Sequence, residues 1–331
     1  MIGTVQRASW GRRAMIALPF IWLILFFLAP FLIVLKISIS EPMISQPPYA
    51  PVWTDAGTAL DHLANPVLDN YGFLFSDWLY VGSYLTSLKI AAIATLITLT
   101  IGYPIAYGIA RAGQAWRGAL LMLIILPFWT SFLIRVYAWI GILKGEGLLN
   151  QFLDMTGLRP AIEWALRGIA SLGESIELAL TGTATIAFPT ELPQQILYTE
   201  TAVYIGIVYS YLPFMVLPLY ANLEKMDASL LEAAADMGAK PFRSFWNVTF
   251  PLSLPGVLAG CFLVFIPAVG EFVIPALLGG TSTQMIGATL WSEFFQNRDW
   301  PVASAVAVTL LMILVVPIVV FQSMAKRQGA G

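Results

Sequence analysis

Cysteine, histidine and charged side chains are scarce in this 331-residue sequence. Cys261 is the only cysteine, so the chain can form no internal disulfide, and His62 is the only histidine. Metal sites built on histidine or cysteine clusters and Ser-His catalytic triads therefore lack the residues they need. Charged residues make up 11% of the chain and the net charge is −2, which provides no strong field for nucleic acid.

Hydrophobic residues are abundant instead, at 58% of the chain, and the mean hydropathy is +0.78. A soluble domain carries about 25% charged residues, whereas a lipid-facing surface needs none. A helix needs about 20 apolar residues to cross the hydrocarbon of a bilayer. We therefore predict an all-α integral membrane protein with six transmembrane helices, at about 14–38, 82–110, 118–143, 201–223, 254–278 and 301–324.

The basic residues predict the orientation of these spans, because Lys and Arg concentrate in cytoplasmic segments. One side of a six-span arrangement holds the tails 1–13 and 325–331, the loop between spans two and three, and loop 224–253, with Arg7, Arg12, Arg13, Arg111, Arg117, Lys225, Lys240, Arg243, Lys326 and Arg327. The opposite loops 39–81, 144–200 and 279–300 hold only Lys144, Arg159, Arg167 and Arg298. Both termini are therefore predicted to be cytoplasmic. The alternative for the first apolar run is a cleaved secretory signal, but the run is too long for one.

Loop 224–253 has the sequence signals of a helix–turn–helix. Ser229 and Glu232 fit a capping box at the start of a first short helix. Gly238 suits the position just after that helix, where a left-handed backbone is common. Pro241 suits the first turn of a second helix, running to about Val248, with an aromatic face formed by Phe242, Phe245 and Trp246. Pro251 is expected to end this second helix before span five begins.

The spacing of this loop resembles the EAA loop of ABC-importer permeases. Glu232-Ala233-Ala234 is followed by Gly238 and then by Val248-x-Phe250-Pro251 at the family spacing, with Val and Phe at positions that are Ile and Leu in the family pattern. The resemblance implies a six-span permease of the type I importer kind, whose loop is a cytoplasmic coupling helix that docks into an ATPase. It assigns the ATPase contact to Glu232, Ala233, Ala234, Gly238, Trp246 and Pro251.

The same resemblance implies the partners. The chain has no GxxxxGK[ST] phosphate loop, so ATP and Mg would be bound by a cytoplasmic ATPase dimer and no cofactor by this chain. A second homologous permease would complete the pathway, most simply as a heterodimer in the bacterial inner (plasma) membrane. A periplasmic or lipid-anchored binding protein would deliver the solute. Four stretches, PFWTSFLIRVYAWIGIL, YIGIVYSYLPFMVLPLY, FIPAVGEFVIPALLGG and FFQNRDWPVASAVAV, are similar to polyamine permeases, with 160–195 as an apparent insertion.

Three ionisable residues fall deep within the predicted spans, where they are costly and are candidates for function. Arg135 and Glu271 each lie about 25 Å from the cytoplasmic start of a straight span, and Lys89 lies at a similar level. Glu271 is predicted either to contact a cationic substrate or to form an ion pair with Arg135 or Lys89. Prolines on both sides of Glu271 favour a helix that lines the pathway.

Aromatic residues in spans three and four can line a path for alkylammonium groups through cation–π contacts. The pathway candidates are Trp129, Tyr137, Tyr209 and Tyr211, together with Glu271. Their alternative role is the interface belt or packing within the bundle.

The function predicted from the residues and the resemblance is import of a polyamine such as putrescine or spermidine by alternating access. The alternatives are an importer permease for another solute (an iron complex, an oxyanion or an opine-like compound) and a secondary transporter driven by an ion gradient. The latter class more often shows inverted repeats with discontinuous helices in both halves, and the sequence reveals neither. An enzyme is not expected.

Overall fold

The structure is a computed structural model that describes residues 10–181, 190, 195–227 and 229–328. The chain divides into two compact units, the first formed by 10–84 with 289–328 and the second by 85–288, within the described residues. Arg7 of the N-terminal tail and residues 182–189 and 191–194 of the apparent insertion lie outside the described part. Helices dominate throughout, with one two-stranded sheet in the described residues.

The N-terminal part begins with α1 (Trp10–Leu23), a π-helical turn at Ile24–Leu28 and α2 (Ala29–Ser38). A short antiparallel pair, β1 (Glu41–Pro42) and β2 (Tyr49–Ala50), precedes α3 (Ala56–Ala64) and α4 (Asp69–Ser76). Helix α3 begins at a capping box in which the Asp55 carboxylate accepts the Thr58 N–H at 2.8 Å. Such reciprocal bonds satisfy amides that have no partner within the helix.

The next helices are α5 (Trp78–Arg111), α6 (Gln114–Ile125), a 3-10 turn at Leu126–Trp129, α7 (Phe132–Leu143), α8 (Leu148–Thr156) and α9 (Leu158–Thr181). The axis bends by 91° between Gln114–Trp129 and Phe132–Leu143. The predicted third span at 118–143 is therefore bent rather than straight. Pro127 lies at the start of the 3-10 turn, and the extended backbone of Thr130 ends that turn before α7 starts. Counting residues along one axis consequently gives no depth for Arg135.

The C-terminal half contains α10 (Glu200–Glu224), α11 (Ser229–Asp236), α12 (Pro241–Ser244), a π-helical turn at Phe245–Thr249, α13 (Phe250–Val269) and α14 (Val273–Leu278). A 3-10 turn at Thr281–Thr283, α15 (Ile286–Trp291), a π-helical turn at Ser292–Asn297 and α16 (Trp300–Gln328) complete it. The predicted fifth span at 254–278 is interrupted, because the helix stops at Val269 and resumes at Val273.

Four helices among the described residues are long and apolar enough to cross a membrane: Met15–Ser38, Trp78–Arg111, Glu200–Glu224 and Pro241–Val269. The bent pair Gln114–Trp129 and Phe132–Leu143 makes a fifth if it counts as one span. A shorter apolar helix, Trp300–Val315, lies where the sixth span was predicted. These helices lie at the positions of the six predicted spans, and the number of spans remains a prediction.

The core of the second unit forms where α10 packs along α13. Gly256 and Gly260 of α13 stand four residues apart and let the two backbones approach closely. A Cβ at Gly260 would lie 3.1 Å from the Met215 carbonyl oxygen, and one at Gly256 would lie 3.1 Å from that of Pro218. Small residues at this spacing are a common device for close helix packing in membranes. Met215, Val216 and Leu219 of α10 are fully buried beside this crossing.

In the first unit, α16 packs against α2 and α4. The Asn70 amide of α4 donates to the carbonyl oxygens of Ser38 and Ser40, at 3.0 and 2.8 Å, just beyond the end of α2. These bonds satisfy carbonyl groups that the end of a helix leaves without partners. The end of the first apolar helix is therefore held by a side chain of α4.

Candidate functional site

The loop that resembles a coupling helix folds as a short helix, α11, followed by a left-handed turn. Gly238 has φ +80°, as the sequence predicted, because a residue without Cβ adopts this conformation at little cost. The Gly238 N–H donates to Ala235 O at 2.8 Å, and the Ala239 N–H donates to Ala234 O at 3.0 Å. These bonds satisfy the last carbonyl groups of α11 and turn the chain towards α12.

The start of α11 differs from the predicted capping box. The helix begins at Ser229, and the Asp227 carboxylate accepts the Ser229 N–H at 2.9 Å. The same backbone hydrogen bond lowers the pKa of Asp227. Asp227 thus performs the role that the sequence assigned to Ser229, and an acid near a helix N-terminus also interacts favourably with the helix dipole.

The second helix of the loop does not stop at Pro251. A continuous helical stretch, Pro241–Val269, carries the chain from the loop into the membrane span. Pro251 is tolerated because it lies in the first turn of α13, directly after the π-helical turn, where its missing N–H costs little. The predicted end of the helix at Pro251 is therefore wrong. The loop is therefore joined to span five by helix rather than by a break.

The exposed side of this loop holds some of the predicted contact residues. Glu232, Ala233 and Gly238 are exposed, and Trp246 is 48% exposed. Ala234, in contrast, is only 5% exposed, so its side chain packs against the chain itself rather than at an exposed tip. Phe242 is 77% exposed beside Trp246, with ring centroids 6.3 Å apart. The surface therefore combines acids (Glu232 and Asp236), small residues and two aromatic rings.

Glu271 lies in the break between α13 and α14 and is 9% exposed. Its Oε1 accepts the N–H groups of Phe272 at 3.1 Å and Val273 at 3.0 Å, and more weakly that of Ile274 at 3.5 Å. Its Oε2 accepts the Tyr211 hydroxyl at 2.6 Å. A carboxylate satisfies the unpaired amides at a helix start and complements the dipole there. Glu271 therefore joins the start of α14 to α10.

Aromatic rings continue from this carboxylate through the second unit. The Tyr211 ring lies 5.9 Å from that of Phe214, which lies 5.2 Å from that of Phe128. The guanidinium of Arg135 lies 5.6 Å from the centre of the Phe128 ring. Rings therefore stand between the cation and the acid. The Arg135–Glu271 ion pair considered from the sequence does not form among the described residues.

Lys89 forms an ion pair, but its partner is Glu200. Its Nζ lies 3.2 and 3.1 Å from the two carboxylate oxygens of Glu200, the first residue of α10. The Tyr204 hydroxyl adds a longer bond of 3.4 Å to the same carboxylate. The predicted pairing of Lys89 with Glu271 is thereby corrected. Both side chains are about one-third exposed, so the pair ties α5 to the start of α10 with partial access to solvent.

The structure brings only some of the pathway candidates together. Tyr211 contacts Glu271 directly, while Tyr209 packs its ring 5.2 Å from that of Trp139. Trp129 is 70% exposed and Tyr137 is 59% exposed, so both point away from the interior of their unit. The sequence thus predicted one partner of Glu271 correctly, Tyr211. The other pathway candidates lie on different helix faces.

Several residues at this site were missed from the sequence. Glu200 was placed in an outer loop, although an acid one turn before Tyr204 at a span boundary was a usable signal for a partner of Lys89. Gly287 was also missed. A Cβ there would lie 2.6 Å from Gly270 O and 2.7 Å from Glu271 O, so α15 passes directly over the break in span five. A glycine is needed where a backbone approaches this closely.

No group of three or more His, Cys, Asp or Glu residues suited to a metal ion occurs within the described part of the chain. Asp227, Glu200 and Glu271 are each engaged by an amide, a hydroxyl or a cation of this chain. An acid of this arrangement can hold a cation, as Glu200 holds Lys89.

The chain was compared with known proteins. Residues 99–324 match the model of a family described as the binding-protein-dependent transport system inner membrane component. The chain is 38% identical over 311 residues to the spermidine/putrescine transport system permease protein PotB of Haemophilus influenzae, covering 94% of this chain and 92% of the relative. It is 39% identical over 254 residues to PotB of Escherichia coli K12, covering 77% and 81%.

The fold also matches a solved structure. A chain of a bacterial ABC transporter that imports the acidic polysaccharide alginate superposes with a TM-score of 0.63 at 15% identity, covering 97% of this chain and 96% of that one. The helical fold with its membrane-crossing helices is thus that of an ABC-importer permease. The chain belongs to the family of binding-protein-dependent transport system inner membrane components.

Proposed function

We propose that this chain is one of two permease subunits of an ATP-driven importer and forms half of the pathway for a polyamine such as putrescine or spermidine. The relatives at 38% and 39% identity are described as spermidine/putrescine permeases, which supports this solute class. A relative at 28% identity over 236 residues is a molybdenum permease of Mycobacterium bovis, so an oxyanion is the alternative.

The observation that carries the proposal is that the two carboxylate oxygens of Glu271 have different hydrogen-bond partners. Oε1 is held by the backbone amides at the start of α14, so the carboxylate stays in place. Among the described residues, Oε2 has the Tyr211 hydroxyl as its one hydrogen-bond partner, and a hydroxyl can rotate away. An ammonium group can then take the place of that hydroxyl at Oε2, with a charge-assisted bond in exchange for a neutral donor.

The neighbouring rings suit the rest of an alkylammonium chain. The hydroxyl of Tyr211 binds Oε2, and the Tyr211 ring lies 5.9 Å from that of Phe214. Aromatic faces attract cations. An oxyanion placed at Oε2 would face a carboxylate. This difference in charge makes a cationic solute the better fit to Glu271.

The mechanism follows from the helix that joins loop and span. A binding protein would release the polyamine at the outer mouth, and an ATPase dimer carrying ATP and Mg would dock on the exposed face of α11 around Glu232. Closure of the ATPase would push α11 and α12, and the unbroken helix Pro241–Val269 would carry that movement to the break at Glu271. A second, homologous permease would form the other half, with both termini of this chain in the cytoplasm.

The test is uptake by the complete complex in proteoliposomes, with radiolabelled putrescine and spermidine and with unlabelled molybdate as a competitor. We expect polyamine uptake that requires ATP, and Glu271→Gln should lower it about 10- to 100-fold, the value of one charge-assisted bond. Glu224→Gln is the matched control, because Glu224 pairs with Arg117 at the other end of α10. Uptake without ATP would indicate a secondary transporter, and competition by molybdate would indicate the oxyanion alternative.

A further inference from the structure

The two helices between predicted spans three and four, α8 and α9, expose apolar side chains where a water-facing loop was predicted. On α8, Leu148, Phe152 and Met155 are 69%, 56% and 88% exposed. Their spacing of four and then three residues places them on one face of the helix. The opposite face is buried and contains the polar side chain of Asn150 together with Leu153. Helix α8 therefore turns an apolar stripe outward.

Helix α9 continues this pattern over 24 residues. One face carries apolar residues at alternating spacings of four and three, among which Leu158, Ile169 and Leu172 are 42%, 60% and 65% exposed. The charged residues lie on the other face: Arg159, Glu163, Arg167 and Glu174. A helix divided in this way needs an apolar partner on one side and water on the other.

The junction of α7, α8 and α9 is held by polar side chains. The Asn150 amide donates to the carbonyl oxygen of Lys144, just after α7, at 3.1 Å, and its Oδ1 accepts Nη2 of Arg159 at 3.0 Å. Nε of Arg159 also donates to the Asp154 carboxylate at 3.0 Å. Gly157, with φ +64°, provides the left-handed turn between the two helices. The apolar stripes of α8 and α9 therefore have a fixed position relative to the end of α7.

The surface of the bilayer is the apolar partner that fits these stripes. Four residues separate the end of α7 at Leu143 from the start of α8 at Leu148, so α8 begins near the predicted outer edge of span three. The lipid that borders this span can thus cover the stripes without a further protein.

The composition of α9 also favours the bilayer surface. At 24 residues it is long enough to cross a membrane, but it is not among the helices of the described residues that are apolar enough to do so. An amphipathic helix of this kind lies in the interface, with its apolar face towards the acyl chains. Trp164 is 79% exposed at the border between the two faces, which suits an indole at the level of the headgroups.

We propose that α8 and α9 lie in the surface of the bilayer on the predicted outer side and anchor the connection between spans three and four to lipid. The charged face of α9 then remains in water. The side chains inserted among the acyl chains are Leu148, Phe152, Met155, Ile169 and Leu172. Both signs of charge occur on the polar face, so burial of apolar area rather than attraction to anionic lipid holds the segment. This role requires a membrane-spanning chain and is independent of the transported solute.

The test is spin labelling at single cysteines in the membrane complex of this chain, reconstituted in lipid nanodiscs with cysteine-free partner subunits. Cys261→Ser removes the only cysteine of the chain, and Leu172→Cys and Met155→Cys then introduce labels in the two stripes. Glu174→Cys is the matched control, because residue 174 is exposed on the opposite face of α9. Exposed positions tolerate such changes. Oxygen concentrates in hydrocarbon and a nickel chelate stays in water, so the two collision rates of each label give its depth.

We expect the labels at 172 and 155 to collide more often with oxygen than with nickel and to lie about 5–10 Å below the headgroup surface, whereas the label at 174 reports water. Mainly nickel collisions at 172 would place α9 in water and overturn the inference. Low rates for both reagents would mean that protein covers the stripe, which also overturns it. Adding the binding protein should leave both rates unchanged, and a fall at 172 would assign the stripe to that protein instead.

Discussion

The hydrogen bonds of the Glu271 carboxylate predict that replacing this residue lowers the stability of the protein, independently of any role in transport. Replacing Glu271 by Ala leaves three well-formed donors without an acceptor: the amides of Phe272 and Val273, and the Tyr211 hydroxyl. A buried donor without a partner costs about 1–3 kcal/mol. Because the two amides are only partly buried and can be hydrated, we take the lower part of that range. The expected loss is about 3–5 kcal/mol.

Two milder variants separate the contribution of the Glu271 charge from that of the Tyr211 hydrogen bond. In Glu271→Gln, the amide oxygen keeps the backbone N–H groups and the NH₂ group donates to the Tyr211 oxygen, so the cost is about 1–2 kcal/mol for the lost charge. Tyr211→Phe removes one donor from Oε2 and should cost a similar amount. The two residues are in contact, so the effects of Glu271→Ala and Tyr211→Phe should combine to less than their sum.

The assay is thermal unfolding of the full-length chain in detergent, followed by circular dichroism. At about 2 °C per kcal/mol for a chain of this size, Glu271→Ala should lower the midpoint by about 6–10 °C and Glu271→Gln by about 2–4 °C. The reasoning is refuted if Glu271→Ala melts within 2 °C of wild type. It is also refuted if Gln destabilises as much as Ala, because the hydrogen-bond geometry would then be irrelevant.

The remaining predictions concern the other contacts of the second unit. Lys89→Met and Glu200→Gln should each cost at most about 1 kcal/mol, because the pair is one-third exposed, and the double variant should melt near the single ones; additive losses in the thermal assay would argue against the pair. Gly287→Ala should cost about 1–3 kcal/mol, because its Cβ would overlap two carbonyl oxygens of the break in span five. Gly108→Ala, where a Cβ meets nothing within 4 Å, is the control and should not lower the midpoint.

Local chemistry made some features of the coupling loop predictable. Gly238 was expected in a left-handed conformation because the residues before it form a helix and glycine tolerates positive φ, and its φ of +80° confirms this. Pro251 misled the prediction, because proline ends a helix in its interior but is accepted in a first turn. Which of these applies depends on the π-helical turn at Phe245–Thr249, which no sequence period reveals.

The breaks in the spans were harder to predict. An apolar stretch such as 118–143 has the length of a span whether or not it bends, and proline is common in spans that stay continuous. The chain bends by 91° after Pro127, whereas Pro104 lies inside an unbroken helix. Whether a proline breaks a span depends on the hydrogen-bond partners that neighbouring helices supply to the freed backbone groups. At the break beside Glu271, the Glu271 side chain itself is that partner.

The amino-acid sequence alone determined that this chain is a helical membrane protein, because so few charges leave no soluble surface and lipid requires helices that satisfy their own backbone. It also determined the family through the spacing of one loop. Only the tertiary structure decided which charges meet. Lys89 pairs with Glu200, 111 residues away, and Glu271 binds Tyr211 and its own backbone. The physical reason is that partner choice depends on the rotation of each helix about its axis and on where it breaks, and tertiary packing sets both.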